Sequence, residues 1–244
     1  MRSVLTLRLA GPLQSWGASA RFTRRTTEAA PTKSGVIGVL AAAQGIQRGD
    51  DTALARLGAL RFGVRIDQPG TRLRDFQTAH HADTGKSMPL SERFYLADAV
   101  FVAAVEGDGT LLRELHDALR NPVYPPYLGR RSCPPSLPLE LGLHEGGELE
   151  QVLREEPWQA ARWYRKEQRR QASVPVSILR EARPGEQHAD VLRDQPLSFA
   201  AEHRHHALRG VVRTAVDVPH SQAATPARPV PAHDPFAALQ EESN

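Results

Sequence analysis

The residues best suited to chemistry lie in one short stretch, 127–134, which reads YLGRRSCP. It combines an aromatic ring at Tyr127, a glycine at Gly129 and paired guanidinium groups at Arg130 and Arg131. Prolines on both sides stiffen the backbone. A ring that can stack on a base, accessible backbone N–H groups and adjacent arginines suit a phosphodiester chain better than a hydrophobic core. We therefore expect this loop to bind nucleic acid.

A second group of cations lies near the N-terminus. Residues 1–49 contain seven arginines and lysines against the single acid Glu28, although the net charge of the whole chain is only +3. Arg21 and Arg24 come shortly before Lys33, where a helix is predicted to begin, and helix N-termini attract anions. We expect an anion site here, with a solvated loop as the alternative. Residues 145–156 are rich in glutamate and predict a separate acidic face.

Residues 69–97 interrupt the regular pattern of the chain with few core-type residues. The segment carries Arg72, Arg74, Arg93, His80 and Lys86. It is too long for a plain connection between two elements, so we expect a protruding loop or hairpin with a function.

Other candidate groups are weaker. The histidine groups at 80–81 and 203–206 could act as general bases or metal ligands, but neighbours on a strand point to opposite faces and no acidic or cysteine partner lies at ligand spacing. Contact with solvent or phosphate is the favoured interpretation, and we expect neither metal nor cofactor. Cys133 suits a small packed residue better than a nucleophile. Trp16 fits core packing and base stacking equally well.

Length and composition indicate a soluble protein. The 244 residues are 40% apolar, and no apolar run approaches the roughly 18 residues of a membrane span. The N-terminal run carries a charge, unlike a secretory signal, and a single cysteine suits a reducing cytoplasm. No phosphate-loop spacing is present, which argues against nucleotide hydrolysis.

Hydrophobic periodicity predicts an α+β domain over residues 1–216. Strands are expected at 3–10, 60–67, 98–106, 137–143, 174–181 and 207–216, and helices at 35–46, 53–58, 110–121 and 157–171. This order resembles a ferredoxin-like, RNA-recognition-type domain with a protruding hairpin at about 69–97. The aromatic strand motif GFGFVxF of such domains is missing, so loops would have to hold RNA. The Pro- and Ala-rich residues 217–244 predict a flexible tail.

Four stretches together resemble a known family, the CasD subunits of the type I-E CRISPR surveillance complex, Cascade. They are LRLAGPLQSWG (7–17), PTKSGVIGVLAAAQGIQR (31–48), TRLRDFQT (71–78) and YLGRRSCP (127–134), with a weaker match at RFYLADAVF (93–101). The resemblance implies a modified ferredoxin-like fold with a long β-hairpin thumb. It also implies binding of the 5′ handle of the CRISPR RNA and contacts with the backbone subunit CasC and the large subunit CasA.

Roles implied by the resemblance are carried to this sequence residue by residue. The thumb would include Arg72, Arg74, Asp75 and Arg93. The loop that holds the handle would comprise Tyr127, Gly129, Arg130, Arg131 and Ser132, with Lys33 and Ser34 near the same groove. Target DNA would be read indirectly, through base pairing with the guide.

Two other functions stay open at this stage. In type I-E complexes the endoribonuclease is a different subunit, CasE, but a related protein of another subtype does cut precursor RNA. A metal-independent endoribonuclease using His80 or His81 with Tyr127 is therefore the alternative. A DNA-binding regulator is a third, although no helix-turn-helix pattern is present.

Overall fold

The computed structural model describes residues 1–17, 24–186 and 190–220. These residues form a mixed α+β fold around a large antiparallel sheet. The strands are β1 (Arg2–Ala10), β2 (Leu13–Gln14), β3 (Arg24–Arg25), β4 (Arg61–Gln68), β5 (Thr71–Gln77), β6 (Ser91–Ala97), β7 (Val100–Asp108), β8 (Glu140–Glu145), β9 (Ser173–Glu181), β10 (Asp190–Ser198) and β11 (His205–Pro219). The helices are α1 (Lys33–Gln44), α2 (Asp51–Gly58), α3 (Gly109–Arg120), α4 (Leu149–Glu155) and α5 (Arg162–Glu167).

Seven strands form the main sheet in the order β10-β11-β9-β4-β7-β1-β8. Every neighbouring pair is antiparallel. Strand β1 lies between β7 and β8, with Leu5 opposite Val105 on one side and Leu143 on the other. Because β1 and β4 run in the same direction on either side of β7, their carboxyl ends meet at the same end of the sheet.

Both faces of the main sheet are covered. Leu5, Leu7 and Leu9 pack with α1, α2 and α3 in the larger core. On the opposite face Val4 packs with α4, which contributes Leu149, Val152 and Leu153. Strand β1 is thus buried on both sides, although its apolar and polar residues alternate as in a strand with one face in solvent.

Helix α1 begins and ends two residues before the bounds predicted for it, 35–46. The side chain of Thr32 accepts a hydrogen bond from the Gly35 N–H, and Gly45 ends the helix in the left-handed conformation with φ of 77°. The side chain of Trp16 packs directly against Gly35 and is fully buried. Its indole N–H donates to Oε1 of Gln14 at 3.0 Å, so Trp16 belongs to the core and is not a stacking ring.

A smaller sheet stands at the carboxyl ends of β1 and β4. Strand β6 pairs with β2, with β3 and, across an antiparallel hairpin, with β5. The hairpin leaves the main sheet at Gly70, where a side chain would collide with the backbone of Ala97. Its tip, residues 78–90, is exposed throughout. Residues 71–97 thus form an antiparallel hairpin of β5 and β6 with an exposed tip.

The C-terminal part differs from the prediction in several respects. Helix α4 and strand β10 were not predicted, and α5 covers only part of the helix expected at 157–171. Strand β11 runs to Pro219 and Val218 is fully buried, so the domain boundary predicted at 217 falls within the last strand. The remainder of the predicted tail, residues 221–244, lies outside the described residues.

The opposite end of the main sheet holds a network of ion pairs. Arg61 at the start of β4 pairs with Glu106 at 3.1 Å and also with Glu150. Arg183 pairs with Glu148 at 2.8 Å. Three of the glutamates predicted to form an acidic face, Glu145, Glu148 and Glu150, therefore pair with arginines of the same chain.

Candidate nucleic-acid interface

Two buried side chains hold the loop at 127–133 against the core. Leu128 is fully buried and Cys133 is 1% exposed, and both belong to the larger core. The Leu128 N–H donates to the Cys133 carbonyl at 2.7 Å, and the Leu128 carbonyl accepts from the Ser15 N–H at 3.0 Å. With these two residues turned inward, Arg131 and Ser132 are left exposed.

Gly129 allows the loop to approach the segment after β1. Its φ is 86°, a left-handed conformation that other residues adopt at a cost. A Cβ atom at this position would overlap the carbonyl oxygen of Ser15. No other residue can therefore occupy the position without moving the backbone.

Arg130 connects the loop to the small sheet. Its guanidinium lies 4.6 Å from the centre of the Tyr95 ring, and its Nη2 donates to the Arg25 carbonyl at 2.8 Å. Its Nη1 is buried and has no hydrogen-bond acceptor among the described residues. Arg130 is otherwise only partly buried, and a guanidinium with an unused donor is suited to a phosphate or base oxygen supplied by a ligand.

Further arginines come from the pairing of β3 with β6. Arg25 lies opposite Arg93 in this short parallel ladder. The Nε of Arg93 is also buried and lacks an acceptor within the described part of the chain. Three arginines from distant parts of the sequence, Arg25, Arg93 and Arg130, thus meet at one place.

Glu92 lies on the neighbouring surface and moderates the positive charge. Its carboxylate pairs with Arg74 of β5 and lies 3.8 Å from Arg24 of β3. The guanidinium of Arg24 also lies 5.5 Å from the centre of the Phe94 ring. Arg72 donates to the Thr27 carbonyl at 2.9 Å, which ties β5 to the segment after β3.

Lys33 and Ser34 do not join this cluster. The Lys33 side chain is 3% exposed, and its Nζ pairs with Glu181 at 2.6 Å. Burial lowers the pKa of Lys33, and the Glu181 carboxylate opposes that shift. The Lys33 N–H donates to the Asp194 carboxylate at 2.7 Å. Carboxylates of the protein itself therefore occupy the anion site predicted at this helix N-terminus. Ser34, also predicted for the groove, is buried.

His80 lies at the hairpin tip, well away from the loop. Its Nδ1 is 3.1 Å from the Gly85 carbonyl, and the residue bridges to Ser87. Within residues 1–17, 24–186 and 190–220, no three His, Cys, Asp or Glu side chains lie close enough to hold a metal ion. Arg21, also predicted for the site, lies outside the described residues.

Two contributors to the site were not predicted. Tyr95 is the ring beneath Arg130, and Glu92 is the carboxylate between Arg24 and Arg74. Both belong to β6, in which the polar residues 91–93 are followed directly by the aromatic residues 94–95, and the available signal was this run of charged and aromatic residues. The assembled surface offers unsatisfied guanidinium groups, exposed loop residues and half-exposed Tyr127, which can position a phosphodiester chain and contact its bases.

No helix of the described residues is long and apolar enough to cross a lipid bilayer.

Comparison with known proteins gives concordant results. The family model described as CRISPR-associated protein (Cas_Cas5) matches residues 4–212. The chain is 39% identical over 171 residues to the CRISPR system Cascade subunit CasD of Escherichia coli strain K12, covering 63% of this chain and 76% of that protein.

Two solved structures are similar in fold and sequence. A chain of a CRISPR RNA-guided surveillance complex has a TM-score of 0.73 and 35% identity, covering 92% of this chain and 95% of its own. A crystal structure of a Cas protein has a TM-score of 0.68 and 36% identity, covering 90% and 99%. The chain belongs to the Cas5 family of CRISPR-associated proteins, in agreement with the resemblance of its motifs to the CasD subunits of type I-E Cascade.

Proposed function

We propose that this protein is a CRISPR RNA-binding subunit of a type I-E Cascade complex and that it holds the 5′ handle of the guide. The family membership, the similarity to a Cascade subunit and the similarity to a chain of an RNA-guided complex support this function. The loop at 127–133 and the small sheet would form the binding surface.

The observation that carries the proposal is the meeting of Arg25, Arg93 and Arg130. Two of these guanidinium groups contain a buried N–H without an acceptor among the described residues. Leaving a buried donor unsatisfied costs about 1–3 kcal/mol, and more when the donor is charged, so the arrangement favours a ligand that supplies oxygen atoms. RNA phosphates provide such atoms at regular spacing, and Tyr127 is available to a base.

The fold proposed here is a modified ferredoxin-like domain. The elements β1, α1, β4, β7, α3 and β8 follow one another in β-α-β-β-α-β order, and their strands are arranged β4-β7-β1-β8 in the sheet. In this interpretation the β5–β6 hairpin is the thumb, and it places Arg72, Arg74 and Arg93 beside the handle.

The protein is proposed to be non-catalytic. His80 at the hairpin tip lies about 20 Å along the strand direction from Leu73, which pairs with Tyr95 beside the loop. The suggested base and Tyr127 are therefore far apart. Labelled repeat RNA incubated with the protein in chelator should stay intact. Specific cleavage that disappears in His80→Ala would instead identify an endoribonuclease.

Assembly partners follow from the same proposal. We expect contacts with CasC and CasA in the cytoplasm and recognition of target DNA only through pairing with the guide. Co-purification of CasC with the tagged protein and guide RNA tests this expectation. A preference for duplex DNA over handle RNA in competition would favour a DNA-binding regulator instead.

The central experiment removes the two loop arginines. Arg130→Ala combined with Arg131→Ala should weaken handle binding and lower the salt slope by about 1.4, because each lost single-strand phosphate contact lowers it by about 0.7. Arg113→Ala is a matched control, since Arg113 is exposed on α3 and pairs with Glu145. An unchanged slope in the double variant would contradict the proposed role of the loop.

A further inference from the structure

Helix α5 and the turn after it form a second cationic surface, separate from the loop at 127–133. We call it the α5 surface; it comprises Arg162, Trp163, Arg165, Lys166, Arg169 and Arg170. Helix α5 has no buried residue, and all of these except half-buried Arg165 are exposed. The segment packs on the protein through neighbouring residues and leaves its basic side chains outward.

The cations of the α5 surface lack ion-pair partners among the described residues, unlike the arginines of the network at the opposite end of the main sheet. None of the five forms an ion pair with a described residue, whereas Arg61, Arg180 and Arg183 each pair with glutamate. The Nε of Arg165 is buried and has no acceptor within the described part of the chain. Unpaired cations at this density repel one another unless an external anion neutralises them.

Trp163 is exposed, whereas the other two tryptophans are buried. Its exposed fraction is 51%, against 0% for Trp16 and 6% for Trp158. The Trp163 ring meets Tyr164 edge-on with centroids 5.6 Å apart, and Tyr164 meets Trp158 at 6.1 Å. Edge-on ring contacts therefore connect the exposed ring to the core cluster that contains Trp158. A held, exposed indole beside unpaired cations is the combination that binds unpaired bases and phosphates together.

The α5 surface lies at the same end of the main sheet as the proposed guide site. The Gln68 side chain, 1% exposed, accepts from the Ala161 N–H at 3.0 Å just before α5. The same amide donates to the Asp98 carbonyl at the base of the hairpin. One buried amide thus joins the hairpin base to the start of α5.

We infer that the α5 surface is a second binding site, for a single-stranded nucleic acid other than the segment held by the loop. The sugar-phosphate backbone of this nucleic acid would contact Lys166, Arg169 and Arg170, and one of its bases would stack on Trp163. An acidic protein could satisfy the cations, but it would not require a held, exposed ring. The inference does not depend on which RNA the loop binds.

The test uses the full chain saturated with unlabelled handle RNA, so that the first site is occupied. Fluorescein-labelled dT15 is then titrated. Trp163→Ala should raise the dissociation constant about 5- to 150-fold, the range expected for loss of one base stack, and Trp163→Phe should retain most of the affinity. Arg169→Ala with Arg170→Ala should lower the salt slope by about 1.4. Arg56→Ala, an exposed residue of α2, is the control and should change neither quantity.

A second readout is optical. Because the other two tryptophans are buried, dT15 should quench the emission of Trp163, and the quenching should disappear in Trp163→Phe.

Two results would overturn the inference. One is unchanged dT15 binding in both Trp163→Ala and the double arginine variant. The other is displacement of dT15 by polyglutamate together with an unchanged dissociation constant for dT15 in Trp163→Ala. That result would indicate a site for acidic protein. The Arg130→Ala plus Arg131→Ala variant distinguishes the loop site from the α5 surface. It should weaken handle binding and leave dT15 binding unchanged. For that variant dT15 is also titrated without handle RNA.

Discussion

Glu92 shows how a single carboxylate can set the strength of the proposed interface. It pairs with Arg74 and lies 3.8 Å from Arg24, so both arginines are partly neutralised. Glu92→Gln should release them for phosphate and strengthen handle binding about two- to fivefold, the range that partly exposed ion pairs allow. Filter binding at constant salt measures the change, with Glu114→Gln on α3 as the control. Weaker binding in Glu92→Gln would show that the pairs instead hold the arginines in a binding geometry.

Cys133 has a structural role that predicts low chemical reactivity. It is 1% exposed, and burial raises the pKa of its thiol. Because the thiolate is the reactive form, a thiol-specific disulfide reagent at pH 8 should modify the native protein far more slowly than the urea-unfolded chain. Rapid modification of the native protein would contradict this and would reopen the nucleophile hypothesis.

The 127–133 loop depends on Gly129 for its conformation. Gly129→Ala must accept a left-handed backbone, at about 1–2 kcal/mol, and in addition a collision with the Ser15 carbonyl. We expect a lower melting temperature and weaker handle binding. Gly85→Ala is a matched control, since Gly85 has φ of 65° but no atom near its Cβ position. Equal destabilisation by the two substitutions would mean that the collision is relieved.

Elements with strong local signals could be predicted from the sequence. Helix α1 has a capping threonine and a terminal glycine, and α3 has a clear apolar stripe. Helix α4 was missed because Leu149, Val152 and Leu153 stand among glutamates that suggested an exposed acidic segment. Strand β10 was missed because it contains Pro196 and a buried Asp194, which have no place in a simple strand pattern.

The candidate site was predictable only where its residues are close in sequence. The loop at 127–133 was identified because its residues are contiguous. Lys33 was misplaced because its partners Glu181 and Asp194 come from strands at the far end of the chain. Tyr95 could not be assigned beneath Arg130, because only the fold brings β6 to the loop.

At the scale of the whole molecule, the network of ion pairs at the end of the main sheet opposite the small sheet should make the free energy of unfolding depend on pH. Hydrogen bonds from the Arg180 side chain and the Arg183 N–H lower the pKa of Glu186 from 4.5 to about 2. A carboxylate with a lowered folded-state pKa stabilises the fold above its ordinary pKa, and this contribution is lost as the pH falls from about 4.5 towards 2.

Glu186→Gln should therefore reduce the urea midpoint at pH 7 and flatten its decline between pH 4.5 and 2. Glu202→Gln, at an exposed position, serves as the comparison. Profiles of identical shape for Glu186→Gln and the wild type would refute the assignment.

The two ends of strand β4 lie about 25 Å apart, and charges are paired at one end and largely unpaired at the other. Such a separation gives the protein an electric dipole along the strands, even though its net charge is only +3. A polyanion that approaches by diffusion would be rotated towards the cationic end before contact, which raises the rate of productive encounters. Added salt should therefore slow association with RNA more than it speeds dissociation.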